Sequence, residues 1–162
     1  ESMAVRMELS RVLIRELNDY QLIELREVDP DAIEHADLED LYEESEPNQQ
    51  SESGLRSFPI VIGLPEAQAI ERRLKNIPIK RPQTHDLLAS VISSLGGTLR
   101  SITICDLAEG TFFATLDIEN SRGELTHVDS RPSDAIALGI ANDVPIYVEE
   151  HVLEAASKAE EP

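Results

Sequence analysis

From Ser130 to Leu138 the chain reads Ser-Arg-Pro-Ser-Asp-Ala-Ile-Ala-Leu, setting an arginine, a hydroxyl and a carboxylate against the first turn of an otherwise apolar helix. Pro132 suits the first helical position, where its missing N–H has no partner to lose, and Asp134 then falls in the positively polarised first turn. Free backbone N–H groups in such a turn can hold a phosphate or carboxylate, and the fork of Arg131 can grip the same anion. Thr84-His85-Asp86 opens a second helix in the same way and adds an imidazole. If the two helix ends meet, a site assembles: His85 as general acid or base, Asp86, Asp129 and Asp134 as oxygen ligands for a hard cation, Arg131 for a phosphate. Phosphodiester hydrolysis needs these parts, a metal or base to generate hydroxide and positive charge for the phosphorane-like transition state. An ordinary structural reading stands beside it. Ser130, Ser133 and Asp134 can simply cap a helix, Arg131 can pair with a nearby acid, and a single histidine often only hydrogen-bonds.

The elements that carry these residues follow from periodicity. Val5 to Leu17 and Tyr20 to Val28 read as paired strands with a tight turn at Asn18-Asp19, and the alternation slips near Ser10, which a bulge would reconcile. Phe58 to Gly63 is a third strand, placed by Pro59 at an edge or at a strand start. Pro65 opens a helix to about Asn76 with Ala67, Ile70 and Leu74 on one stripe. A second helix takes Thr84 as N-cap, buries Leu87, Leu88, Val91, Ile92 and Leu95, and stops at Gly96-Gly97. Strands follow at Thr98 to Leu107, Thr111 to Glu119 and Glu124 to Asp129. In the middle one Phe112, Ala114, Leu116 and Ile118 pack, while Phe113, Thr115, Asp117 and Glu119 face mostly water. Ala135 to Ala141 is apolar all round, a helix covered on several sides, and a strand at Val144 to Val148 and a helix at Glu149 to Lys158 close the chain. Grouped strands and helices of this kind predict an α+β fold with mixed or antiparallel sheet and three to four helices, one compact domain over 1–158 with an acidic tail at 159–162.

Composition bounds the function. At 162 residues and 41% hydrophobic the chain can bury one sizeable core, and no apolar run approaches the ~18 residues that span a membrane, so a soluble, cytoplasmic protein is expected. Cys105 is the only cysteine; its strand setting points to a structural thiol. Net charge is −18, which taken whole repels nucleic acid and anionic membrane. An insertion at 29–56 concentrates it: ten acids and no Lys or Arg lie between Asp29 and Gly54, and without them the net charge is −8. This insertion reads as a solvated loop with a frayed helix around Ile33 to Tyr42, or as an acidic mimic of nucleic acid covering a basic site. Arg72, Arg73, Lys75, Lys80, Arg81, Arg100, Arg122 and Arg131 lie outside it and could form a local basic surface.

Several motifs together resemble the bifunctional nuclease family: Phe58 to Gly63 followed by Glu66-Ala67-Gln68-Ala69-Ile70, Arg81-Pro82-Gln83-Thr84-His85-Asp86-Leu87-Leu88, Asp129 to Leu138, and Pro145-Ile146-Tyr147-Val148. Order and spacing agree from about Val5 to Ala155. The resemblance implies a compact α+β domain whose members degrade both RNA and DNA, with His85, Asp86, Arg131, Ser133 and Asp134 in the shared motifs. Two departures stand out: the acidic insertion replaces a short loop, and Ala141 stands where members often carry arginine. The expected function is therefore a nuclease of low sequence specificity, assisted by Mg²⁺ or Mn²⁺ at Asp86, Asp129 and Asp134. His85, Asp86 and Asp134 would be catalytic, Arg131, Ser133 and Arg81 would hold phosphate, and the protein would self-associate as a homo-oligomer such as a dimer. The alternative from a different class is a non-catalytic binding or regulatory module that holds an anionic ligand or partner at the same helix N-termini.

Overall fold

The computed structural model describes residues 3–15, 17, 19–29 and 54–158. The frayed helix expected around Ile33 to Tyr42, the role of the insertion's interior and the tail at 159–162 lie outside the described residues. In chain order the elements are β1 (Ala4–Leu13), β2 (Gln21–Glu27), β3 (Ser57–Ile62), α1 (Leu64–Leu74), α2 (Thr84–Ser94), β4 (Thr98–Ala108), β5 (Thr111–Glu119), β6 (Leu125–Ser130), α3 (Pro132–Gly139), β7 (Ile146–Glu149) and α4 (Glu150–Lys158).

The seven strands form one sheet in the order β3-β2-β1-β7-β4-β5-β6. Two antiparallel meanders, β1 to β3 and β4 to β6, are joined by the four-residue β7, which runs antiparallel to β1 and parallel to β4. The fold is α+β with a mixed sheet, as expected. Ile146 pairs with Met7 on one side and Ile102 on the other, and Val148 pairs with Val5 and Ile104. The slip in β1 is a bulge between Leu9 and Arg11, where the Ser10 hydroxyl donates to Glu24 at 2.9 Å. Pro59 sits on an edge strand, where its missing donor costs no ladder bond. Phe58 of β3 stacks on Phe112 of β5 with ring centroids 5.5 Å apart, although four strands lie between them in the sheet order, so the sheet is strongly coiled.

α3 is the hub: Pro132, Ser133 and Ala135 to Gly139 are all buried, with α1 and α2 on one side and β4 and β5 on the other. Small residues permit this approach. A Cβ on Gly139 would lie 2.6 Å from Ile102 Cδ1 and 3.2 Å from Val144 Cβ. Gly139→Ala is therefore expected to overpack the core by roughly 1–3 kcal/mol, read as a lowered urea midpoint with unchanged slope. An unchanged midpoint would show that Ile102 gives way freely.

Three expectations are corrected. The first concerns α2, which is capped by Gln83, one residue before Thr84: the Asp86 carboxylate accepts the Gln83 N–H at 3.1 Å. Its apolar face is largely open, with Leu87 56%, Val91 44% and Leu95 83% exposed and Leu88 39%; only Ala89 and Ile92 reach the core. Helical periodicity reveals that a face is apolar and says nothing of what covers it. Leu74 is also exposed, beyond the turn where Ala67, Ala69 and Ile70 meet α3. The last correction is Asp117, buried at 4% exposure on the strand face expected to be wet. Ser101 and Thr103 donate to its Oδ2 at 2.7 Å each, Thr115 donates to Oδ1 at 2.9 Å, and His127 Nδ1 lies 2.6 Å from Oδ1.

Candidate functional site at the junction of three helices

The two helix ends meet. His85, the second residue of α2, places Nε2 3.0 Å from Asp134 Oδ1 in the first turn of α3, and a carboxylate acceptor there assigns the proton of a neutral imidazole to Nε2. Arg131, the N-cap of α3, donates from Nε to Asp134 Oδ2 at 2.7 Å and from Nη2 to Glu66 Oε1 of α1 at 3.0 Å. Glu66 can fold back because residue 63 is glycine: a Cβ there would stand 2.3 Å from Glu66 Oε2. One polar chain, His85–Asp134–Arg131–Glu66, thus ties together the N-termini of α1, α2 and α3. Burial pushes the Asp134 carboxyl up, but hydrogen bonds from Arg131 and His85 outweigh it and hold the group below its ordinary value.

Two clefts open beside this chain, and His85 lines both. One, of about 380 Å³, runs between Glu66, Arg72, Gln83, Arg131 and Asp134. The other, of about 280 Å³, lies beyond His85 between Arg72, Arg73, Asn76, Gln83 and Asp86. The chain leaves α1 through Asn76 in the left-handed region, φ 49°, which turns residues 77–79 back to form a wall of that second cleft. Ala141 lines it too. Arg72 borders both clefts and makes no side-chain hydrogen bond or ion pair among the described residues.

Not every expected residue joins. Asp129 is exposed on β6 opposite Thr115, on the face that carries Asp117 and His127, while α3 packs on the other face against Ile102. Ser133 is buried and lines a separate cleft with Pro132 and Phe112. Arg81 stays exposed on the segment before α2, outside the residues that line the two clefts at His85. Asp86 is near, but one oxygen takes the Gln83 N–H and the other lies 3.4 Å from Arg73 Nη1. Among the described residues no three His, Cys, Asp or Glu side chains gather as metal ligands. Asp86, Asp129 and Asp134 as placed do not fit a divalent cation: two have both oxygens turned to donors and the third is across the sheet. Cys105 is a free, half-buried thiol at a register shift in β4, and burial pushes its pKa above the ordinary value. Sequence reading passed over Glu66, Arg72 and Arg73 as site residues. Arg72 and Arg73 lie in the last turn of a helix the sequence does predict, and only the folded chain shows that they share a cleft with His85.

The family description "Bifunctional nuclease domain" matches residues 49–161, more than two thirds of the chain, and the chain belongs to that family. The match begins after β2, so the first hairpin stands outside it. Two uncharacterized proteins from two strains of Mycobacterium tuberculosis are each 44% identical over 101 residues, covering 62% of this chain and 59% of theirs. The chain thus aligns with somewhat less than two thirds of the length of these relatives. No helix of the described residues is long and apolar enough to cross a membrane.

Proposed function

We propose that this protein is a nuclease of low sequence specificity that hydrolyses phosphodiester bonds of RNA and DNA in the cytoplasm, with His85 as its acid–base group. The observation that carries the reading is the 3.0 Å contact between His85 Nε2 and Asp134 in a cleft shared with Arg72 and Arg131, on a chain of the bifunctional nuclease family. Asp134 holds the imidazole in one orientation and one tautomer, which leaves Nδ1 as the lone pair that takes a proton from the attacking oxygen. Arg131 spends two donors on Asp134 and Glu66, and with 65% of its side chain exposed its remaining N–H groups are free to meet a phosphate. Arg72 adds a second charge where the transition state gains negative charge. A requirement for Mg²⁺ or Mn²⁺ would place the ligands elsewhere than Asp86, Asp129 and Asp134.

One observation favours the second reading. Three arginines (Arg72, Arg73, Arg131) face three acids (Glu66, Asp86, Asp134), so the formal charges of the cluster cancel although Arg131 holds two of the acids and Arg72 none, as in a clamp between helices or a binding module for an anionic ligand. Digestion separates them: cleavage of labelled RNA and DNA that disappears in Asp134→Asn supports the nuclease, and binding without cleavage supports the module.

Self-association belongs to the same proposal. Residues 87–99 contain no charged side chain in a chain that is 28% charged, and Leu87, Val91 and Leu95 recur every four residues on the open face of α2. A charge-free face lowers the repulsion between two copies of a −18 chain where they meet. Two antiparallel α2 helices would satisfy this by two-fold symmetry. Val91→Glu is expected to convert the wild-type dimer to monomer in sedimentation velocity. A wild type that is already monomeric at high concentration would contradict the assignment.

A further inference from the structure

Arg73 lies in the last turn of α1 with its side chain 12% exposed, and its Nε and Nη1 are shut off from solvent with no hydrogen-bond partner. Asp86, 3.4 Å from Nη1, is close enough to pair in charge, yet no N–H of the two buried nitrogens is aimed at an oxygen. Asp86 is committed to another task, since its second oxygen caps α2 through Gln83. Guanidinium donors that are buried are ordinarily satisfied, because the group cannot shed its charge. Arg73 therefore holds donors in reserve beside a cleft of about 280 Å³. Arg72 shares the cleft, and Ala141 contributes only a methyl group to its wall. His85 joins this cleft to the one that holds Arg131.

We infer that this cleft is a second phosphate subsite, in which Arg73, with Arg72, binds the phosphate that flanks the one presented to His85, the phosphate taking the place of Asp86 on the guanidinium. The inference rests on the nuclease reading of the first cleft and deepens it: the preferred substrate carries two successive phosphates, as an oligonucleotide or a 5′-phosphorylated end does. A terminal 5′-phosphate brings three acceptor oxygens and close to two negative charges, more than a carboxylate, and Arg can engage it with two parallel bonds once the guanidinium turns from Asp86 into the cleft; an internal phosphodiester, with one charge and two free oxygens, fits the same fork more weakly. Asp86 is in this account a competitor held at the mouth of the subsite, which explains why its oxygens face donors and leave none for a cation.

The test is competition for a labelled oligonucleotide by the dinucleoside monophosphate UpU and by its 5′-phosphorylated form. Wild type is expected to favour the phosphorylated form by about tenfold, the order of one charge-assisted bidentate contact. Arg73→Met abolishes the preference, Arg73→Lys keeps part of it, and Asp86→Asn enlarges it by removing the competing carboxylate. That gain cannot come from a misfolded protein. Equal binding of the two competitors by wild type, or a preference unchanged in Arg73→Met, overturns the subsite. The two readings fail separately. If wild type cleaves nothing yet prefers the 5′-phosphate through Arg73, the nuclease reading falls and the subsite stands as an anion-binding site. Cleavage without preference overturns the subsite alone.

Discussion

Replacing His85 by alanine is expected to lower cleavage of single-stranded RNA and DNA by about 10²–10⁴-fold, the range over which one positioned acid–base group acts. The loss should appear in kcat, because His85 serves the proton transfer and the arginines around it serve binding. Asp134→Asn should lose a comparable share: it keeps the size of the side chain but lets an amide N–H face His85 Nε2, so the imidazole no longer has one fixed tautomer. Both variants should remain folded, since His85 lies at a helix end and its partner chain retains the Arg131–Glu66 pair. Single-turnover cleavage beside circular dichroism melting checks the two halves of this expectation together. A fall in KM affinity with kcat intact would assign His85 to binding.

The largest effect on stability is expected at Asp117. Burial pushes its carboxyl up, but Ser101, His127, Thr103 and Thr115 together hold it below its ordinary value. Asp117→Ala strands three hydroxyls and an imidazole on three strands at once, and is expected to cost about 3 kcal/mol, or roughly 6–12 °C of melting temperature for a chain of this size. The pH dependence has a definite sign. A carboxyl whose pKa is lowered on folding contributes stability that is present above its unfolded value, about 4, and is lost as pH falls through the folded value. Asp134 has the same sign, through Arg131 and His85. Wild type should therefore lose stability steeply below about pH 4, and Asp117→Asn should be less stable at pH 7 and flatter on acidification. Equal slopes for wild type and Asp117→Asn would show that the carboxylate network contributes nothing.

Much of the fold was legible because local rules and tertiary packing agree. Pro132 does open α3, the slip at Ser10 is a bulge, and Pro59 marks an edge. The small, uniformly apolar run Ala135 to Leu138 is buried on all sides. Where packing overrides the local signal, the sequence misleads. Alternation assigns Asp117 to water, yet its position between β4 and β6 surrounds it with donors of the right type. Periodicity places Leu87, Val91 and Leu95 inside, although nothing in the chain's own described residues covers them. The site shows the same division. Matching helix openings brought His85 and Asp134 together correctly, because each motif predicted its own helix end and the ends do meet. Asp129 was drawn in by nearness in sequence to Arg131, but strand alternation on β6 sends it to the opposite face. Arg73 had no motif of its own; its significance lies in two buried donors, a property of packing alone.

The most direct test of the central claim is digestion of labelled single-stranded RNA, single-stranded DNA and duplex DNA by highly purified protein in Mg²⁺, Mn²⁺ or chelator, with His85→Ala and Asp134→Asn prepared identically. Wild type is expected to cleave both nucleic acids, and both folded variants to lose that cleavage. Equal cleavage by all three proteins, or none by wild type under any condition, would contradict it.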